Sequence, residues 1–434
     1  MDKMADVLGR AGAWCGQNKY LSAIKNAFQN FMPLTIAGAI GVLWCNVLVN
    51  ETTGLGMFFK PIMALDFLNP AFQAVNFCTI SCITVGITLG IAQEIGVWNM
   101  GAERAGYIPG LVGLAAWLSV TNTSHMVDGA KEAFTGIAGN ELGATGLFTG
   151  MIIGVLSVEL FCFFEKQDAL KIKMPEQVPP GVARAFEVLV PATITLIITA
   201  CIGSACYNLT GLYLNDVIKN GIQGPLGAVG ATIPGVMIIY LVIMLFWLVG
   251  IHGNNMLSAV KEALFTPLAL ENVEKFNKGE KPTNIINMYF LQMCGEFGGS
   301  GVTIGLVIAI MIFGKREDNK AIASLSLVPG LFNINETVTF GIPMVLNPIL
   351  GIPFVFACLV TILVGYVLTV IGFCPVACLT VPWTTPPIVF GFLACGANVM
   401  GAVTQAILIV VSIVIYVPFL ISYEKYQNKQ AAEA

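Results

Sequence analysis

The sequence predicts an all-α polytopic membrane protein, and three observations carry that expectation. Of its 434 residues, 56% are hydrophobic and only 11% are charged, whereas a soluble domain carries about 25% charged residues. The mean hydropathy is +0.81, more apolar surface than a soluble chain of this size buries. The apolar residues also gather into long runs. At roughly 20 residues per crossing, plus loops, the length allows about ten transmembrane helices.

Nine runs read as spans: Phe31 to Val49, Val75 to Ile95, Tyr107 to Val120, Leu147 to Phe164, Ala185 to Cys206, Pro225 to Leu248, Thr303 to Phe313, Ile352 to Phe373 and Met400 to Ile421. Lys3, Arg10, Lys19 and Lys25 precede the first run. That stretch is too polar and too long for a signal peptide and reads as an interfacial amphipathic helix. Net charge is −4, and there is no basic tract interleaved with aromatic residues, which argues against a nucleic-acid partner. Of 12 cysteines, most lie in apolar runs, Cys374 and Cys378 among them. No C-x-x-C spacing occurs and the two histidines are far apart, so buried thiols are expected, with no metal site and no cofactor.

Lys and Arg placement sets orientation. Basic residues gather at the N-terminus, near Arg104, from Lys166 to Arg184, from Lys261 to Lys281, from Lys315 to Lys320, and at Lys425 and Lys429; the stretches 50–73, 121–143 and 209–224 carry fewer. Alternating the two classes puts both termini in the cytoplasm. The segments around Lys275 and Lys315 then both read as cytoplasmic, so the apolar stretch between them is expected to dip in and return. Gly- and Pro-rich apolar stretches at 295–301, 328–351 and 374–394 fit broken or re-entrant segments. Such backbone survives at membrane depth only inside protein or along a wet cavity. Residues 1–208 therefore read as a regular helical half, and residues 209–434 as the solute-handling half.

Ionisable and amide groups inside apolar sequence are functional candidates. His252 lies in GIHGNN with Gly253, Asn254 and Asn255. Glycines permit close approach of a ligand, and imidazole and amides offer mixed donors and acceptors to hydroxyls. A helix end capped by Gly253 is the competing assignment. Glu336 lies in NINET with Asn333 and Asn335; an intramembrane carboxylate is costly unless paired or used, and this one is the candidate general base. Glu296, in GEFGGSG, has a weaker signal, with a structural role equally supported. Trp383, in PWTTPP, offers an indole for the apolar face of a sugar ring or for the membrane interface. His125 reads as a solvated loop residue. Gly146, Gly150 and Gly154 have the small-xxx-small spacing of close helix packing.

GIHGNN and NINET, in this order and at this separation, resemble the paired substrate-site motifs of the IIC components of the bacterial phosphoenolpyruvate:sugar phosphotransferase system. The stretch from Met174 to Pro191 and the PWTTPP loop are similar to its lactose/cellobiose branch. The resemblance covers essentially the whole chain. It implies a homodimer in the bacterial cytoplasmic membrane, with ten transmembrane helices and two re-entrant hairpins. The first half would build the dimer interface and the second the sugar site. It implies transport of a β-linked disaccharide, N,N′-diacetylchitobiose first and cellobiose next. A separate soluble IIB partner, itself supplied by IIA, would phosphorylate the sugar 6-hydroxyl from a phosphocysteine. His252 and Glu336 would hold that hydroxyl, and Gly253, Asn254, Asn255, Glu296, Asn333, Asn335 and Trp383 would complete the binding set. On residue chemistry alone, an ion-coupled secondary transporter and an intramembrane enzyme stay open as alternatives, because broken helices and midplane polar groups serve both.

Overall fold

A computed structural model describes residues 10, 13–14, 17–51, 55–125, 134–175, 177–342 and 344–433. The expected N-terminal amphipathic helix falls largely outside them; from Lys19 on, its residues belong to one continuous helix, α1 (Lys19–Leu43). Among the described residues the chain is all-α apart from a two-residue ribbon, β1 (Ser124–His125) against β2 (Phe134–Thr135). Five helices are long and apolar enough to cross a membrane, or seven if two bent pairs each count as one span. Ile108–Val120 and Ile233–Leu248 are shorter apolar helices. The chain is thus an all-α polytopic membrane protein. It divides into two compact units, Gln17–Thr35 with Phe77–Gly227, and Ile36–Asn76 with Ala228–Ala434.

In the first of these units the apolar helices α2 (Ile83–Met100), α3 (Ile108–Val120), α4 (Ala144–Glu165) and α5 (Pro180–Thr210) pack together. Pro109 and Pro180 sit in the first turns of α3 and α5, where a missing N–H costs nothing. The glycine spacing on α4 does what it predicts: a methyl group at Gly150 would fall 2.2 Å from Thr88 Oγ1 of α2. Gly150→Leu is therefore expected to cost about 1–3 kcal/mol through overpacking, read as a lower thermal midpoint of the purified protein; an unchanged midpoint would contradict this packing. At the far end of α4 the buried Glu165 meets Arg104 at 2.8 Å and Arg184 at 2.9 Å. Arg184 also holds Glu187 at 2.8 Å. A carboxylate this buried is retained because it is doubly paired.

The second unit is built from broken helices. The expected span from Pro225 to Leu248 is interrupted: Thr232 caps a new helix by accepting from the Gly235 N–H at 3.2 Å, and Pro234 follows. The new helix is α6 (Ile233–Leu248), and α7 (Ser258–Asn277) returns along it. Moving away from the turn, Gly253 lies against the Ile243 carbonyl, Lys261 over the Tyr240 ring, and Leu264 beside Gly230. Next, α8 (Met288–Gly295) and α9 (Ile304–Phe313) flank a non-helical break, and the helix pair bends by 59° there. Gly299 in that break has φ +88° and leaves no room for a Cβ, which would sit 2.6 Å from that of Asn335.

A second reversal follows: α10 (Glu317–Leu331) and α11 (Glu336–Gly341) double back, with Gly341 against Ile322. After α12 (Gly351–Val370) the chain dips inward from Cys374 and returns through α13 (Val389–Ala394) to α14 (Val399–Glu433). The Cys378 and Leu379 N–H groups donate to the Ala394 carbonyl at 2.8 and 3.1 Å, closing the base of the dip.

Helix α14 corrects the expected orientation of the second half. Just before its start, Gly396 packs against Phe276 at the end of α7. Near its other end, Glu424 accepts from the Lys315 N–H at 2.9 Å and from Asn319 Nδ2 at 3.2 Å. Val399 and Glu424 stand about 37 Å apart at 1.5 Å per residue. The Lys275 and Lys315 segments therefore lie at opposite ends of this unit, and the stretch between them passes through once. The charge count misleads because Lys275 and Lys278 end α7, where cations suit the helix dipole, and Glu274 pairs with Lys278 at 2.6 Å. Lys261 is buried outright. The polar C-terminal segment continues α14 to Glu433.

Candidate functional site

The turn between α6 and α7, the break between α8 and α9, the turn between α10 and α11, and the dip before α13 converge on one cavity of about 260 Å³. Most of its lining residues are polar, with Ile334 and Trp383 adding apolar surface, and its volume lies just under the roughly 300–1,000 Å³ of small-molecule sites.

His252 and Glu336 meet in this cavity, with His252 Nε2 3.7 Å from Glu336 Oε1. The imidazole packs against Trp247, ring centres 4.4 Å apart, and its Nδ1 accepts from the Asn255 N–H at 3.2 Å. An accepting Nδ1 places the proton of the neutral ring on Nε2, the nitrogen nearer the carboxylate. A hydroxyl oxygen placed between the two groups reaches both at an ordinary hydrogen-bond length of about 2.8 Å. The Glu336 side chain is 46% exposed, so it opens into the cavity rather than being sealed in the interior.

The two asparagines of NINET line the cavity as well and tie its wall together. Asn333, at φ +63°, accepts from the Gly298 N–H at 2.6 Å and donates to the carbonyls of Trp383 and Thr385, the latter at 3.0 Å. One amide thereby joins three broken segments. Asn335 donates to the Ser300 carbonyl and to Thr339 Oγ1, each at 3.1 Å. The Nδ2 groups of both residues thus donate to protein partners. Gly253 lies behind the lining, where a Cβ would sit 2.0 Å from the Ile243 carbonyl oxygen. Asn254, Asn255 and Trp383 line the cavity together with Asn333 and Asn335. His125 belongs to the ribbon in the other unit.

Glu296 also lines the cavity, held by an ion pair with Lys261 and by the Tyr240 hydroxyl, which donates at 2.7 Å. Lys261 reads in the sequence with the basic residues of the segment that follows it, and Glu262 and Gln292 give little signal there, yet all three line the cavity. The signal for Gln292 was its amide, isolated in the run MYFLQMCG. Among the described residues, Gln292 Oε1 and Asn254 Oδ1 are buried without a hydrogen-bond partner. Buried acceptors in that state call for a donor, which a polyhydroxylated solute supplies. Behind the site, α14 braces the breaks: Tyr416 donates to the Gly301 carbonyl at 2.7 Å and Gln405 to the Met293 carbonyl at 3.1 Å.

Comparison with known proteins agrees with this architecture. The family model described as "Phosphotransferase system, EIIC" matches residues 25–358. The oligo-beta-mannoside-specific EIIC component of Bacillus subtilis (strain 168) is 33% identical over 429 residues, 98% of this chain and 94% of that protein. The cellobiose-specific EIIC component of Lactococcus lactis subsp. lactis (strain IL1403) is 29% identical, covering 98% of each chain. The crystal structure of ChbC, the IIC component from the N,N′-diacetylchitobiose-specific phosphotransferase system, superposes with a TM-score of 0.88 at 29% identity, covering 97% of each chain. The chain belongs to the EIIC family of the phosphotransferase system and is a sugar permease of its cellobiose/lactose type.

Proposed function

We propose that this cavity holds one ring of a β-linked disaccharide and presents its 6-hydroxyl for phosphorylation by a separate phosphorylated IIB. The permease works with its IIA and IIB partners as part of a phosphotransferase complex. The observation that carries it is the pairing of His252 Nε2 with Glu336 Oε1 across 3.7 Å of a polar cavity. The Nε2–H donates to the sugar O6, and the O6 proton passes to the Glu336 carboxylate. O6 attacks the phosphorus of the IIB phosphocysteine, the S–P bond breaks, and the thiolate leaves on IIB. Such transfers depend mainly on positioning and charge stabilisation, and the base must lie within hydrogen-bond reach of the proton it takes. Phosphorylation traps the sugar, so no coupling ion is required.

N,N′-diacetylchitobiose is the favoured substrate, with cellobiose next; the names of the similar proteins above support both. Trp383 supplies the stacking face, and the free acceptors of Gln292 and Asn254 take sugar donors. The end of the second unit carrying Lys315, Arg316, Lys320, Lys425 and Lys429 is assigned to the cytoplasm of a bacterium by its positive charge, with both termini on that side. The unit containing α2 to α5 is assigned to homodimer formation.

The test is uptake of labelled disaccharides into membrane vesicles with and without phosphorylated IIB, assaying the chemical form inside. Sugar 6-phosphate formed only with the phosphodonor is expected. Accumulation of free sugar, indifferent to the donor and dissipated by uncouplers, would overturn the reading. His252→Ala removes one hydrogen bond and the packed ring, so it is expected to weaken sugar binding by about 1–2 kcal/mol, roughly 5- to 30-fold; unchanged affinity by calorimetry would remove His252 from the contact set.

A further inference from the structure

The dip that carries Trp383 begins at Cys374 and ends at Cys395, and the two sulfurs lie 3.9 Å apart at its base. Both are within reach of the Pro375 carbonyl oxygen, at 3.4 Å for Cys374 and 3.3 Å for Cys395. Cys395 also lies 3.8 Å from the Met293 sulfur of α8. Both thiols are buried, yet Ile371 and Gly372, just ahead of Cys374, are exposed.

We propose that Cys374 and Cys395 are a modification site: a dithiol that a hydroperoxide oxidises to a reversible disulfide. The Cys374 sulfur attacks one peroxide oxygen, forming an S–O bond as the O–O bond breaks; an alcohol, or water from hydrogen peroxide, leaves with the thiol proton. The Cys395 sulfur then attacks the resulting sulfenic sulfur, forming S–S as S–O breaks, and water leaves with the second thiol proton. Two thiols and one hydroperoxide yield one disulfide, one alcohol and one water.

Three features favour this pair. A hydrogen bond between the two sulfurs eases the charge on whichever attacks, unlike an isolated buried thiol. The sulfurs need close by only about 1.8 Å to reach bonding distance. The dip is already shut at the same place, with Cys378 and Leu379 both bonded to the Ala394 carbonyl, so the link repeats an existing geometry. Its effect is to make the base of the Trp383 segment covalent.

The experiment uses the full-length protein in membranes, treated with hydrogen peroxide, then denatured, alkylated and mapped by mass spectrometry. A Cys374–Cys395 linked peptide is expected, lost on reduction with dithiothreitol, absent in Cys395→Ser and retained in Cys378→Ser. Full alkylation of both Cys374 and Cys395 after peroxide, or linkage of either to Cys378 instead, would overturn the proposal. Wild-type mapping decides the matter even if a variant fails to fold. Since no sugar is involved, the outcome is independent of the transport reading.

Discussion

Glu336→Gln is expected to bind sugar within a few-fold of the wild-type protein while losing phosphorylation by about 10²–10⁴-fold, the usual contribution of a positioned general base. The substitution keeps the shape of the side chain and its capacity to hydrogen-bond a hydroxyl, but the amide cannot take the proton of O6. The carboxylate opens into the cavity and lies 3.7 Å from His252 Nε2, so its loss creates no sealed void and uncovers no buried charge. Calorimetric binding and sugar phosphate formation by phosphorylated IIB, measured on the same preparation, separate the two effects. Phosphate formation at the wild-type rate would refute the base role; loss of binding in parallel with turnover would make Glu336 a grip rather than a base.

Lys261→Ala is expected to damage the site as a whole. Its ammonium is the ion-pair partner of Glu296 and lies over the Tyr240 ring. Removing the cation leaves Glu296 largely desolvated and unpaired, a change that costs about 3–5 kcal/mol. Thermal stability and sugar binding should fall together. The double variant Lys261→Met with Glu296→Gln removes both charges, keeps an acceptor for the Tyr240 hydroxyl, and is expected to recover most of the lost stability. A double variant no more stable than Lys261→Ala would show that the pair is not the source of the penalty.

Much of the fold is written plainly in the sequence, since long apolar runs have few alternatives in lipid. The small-residue spacing on α4 translates directly into contact with α2. The two polar breaks GIHGNN and NINET, far apart in the chain, do line one cavity. The sequence hides whatever depends on how helices turn back. Lys261 reads as a loop charge until α7 folds along α6 and carries it to Glu296. Lys275 and Lys278 mark a helix end, and only the length of α14 separates that end from Lys315. Asn333 and Asn335 line the cavity, but their bonds to Gly298, Thr385 and Ser300 stay hidden, because they span stretches that no local pattern connects. Gln292 is a single amide in an apolar helix, and its unpartnered oxygen is visible only once its neighbours are in place.

The shared grip of His252 and Glu336 on one hydroxyl is tested most directly with a disaccharide deoxygenated at carbon 6 of the phosphorylated ring. Affinities of the parent sugar and the deoxy analogue are compared in the wild-type protein and in the double variant His252→Ala with Glu336→Gln. In the wild type, the missing hydroxyl leaves two groups without their partner and should weaken binding by about 1–3 kcal/mol, roughly 5- to 150-fold. In the double variant most of that difference should vanish. An equal loss in both proteins would mean that the hydroxyl is held elsewhere, and that the imidazole and carboxylate face each other for some other reason.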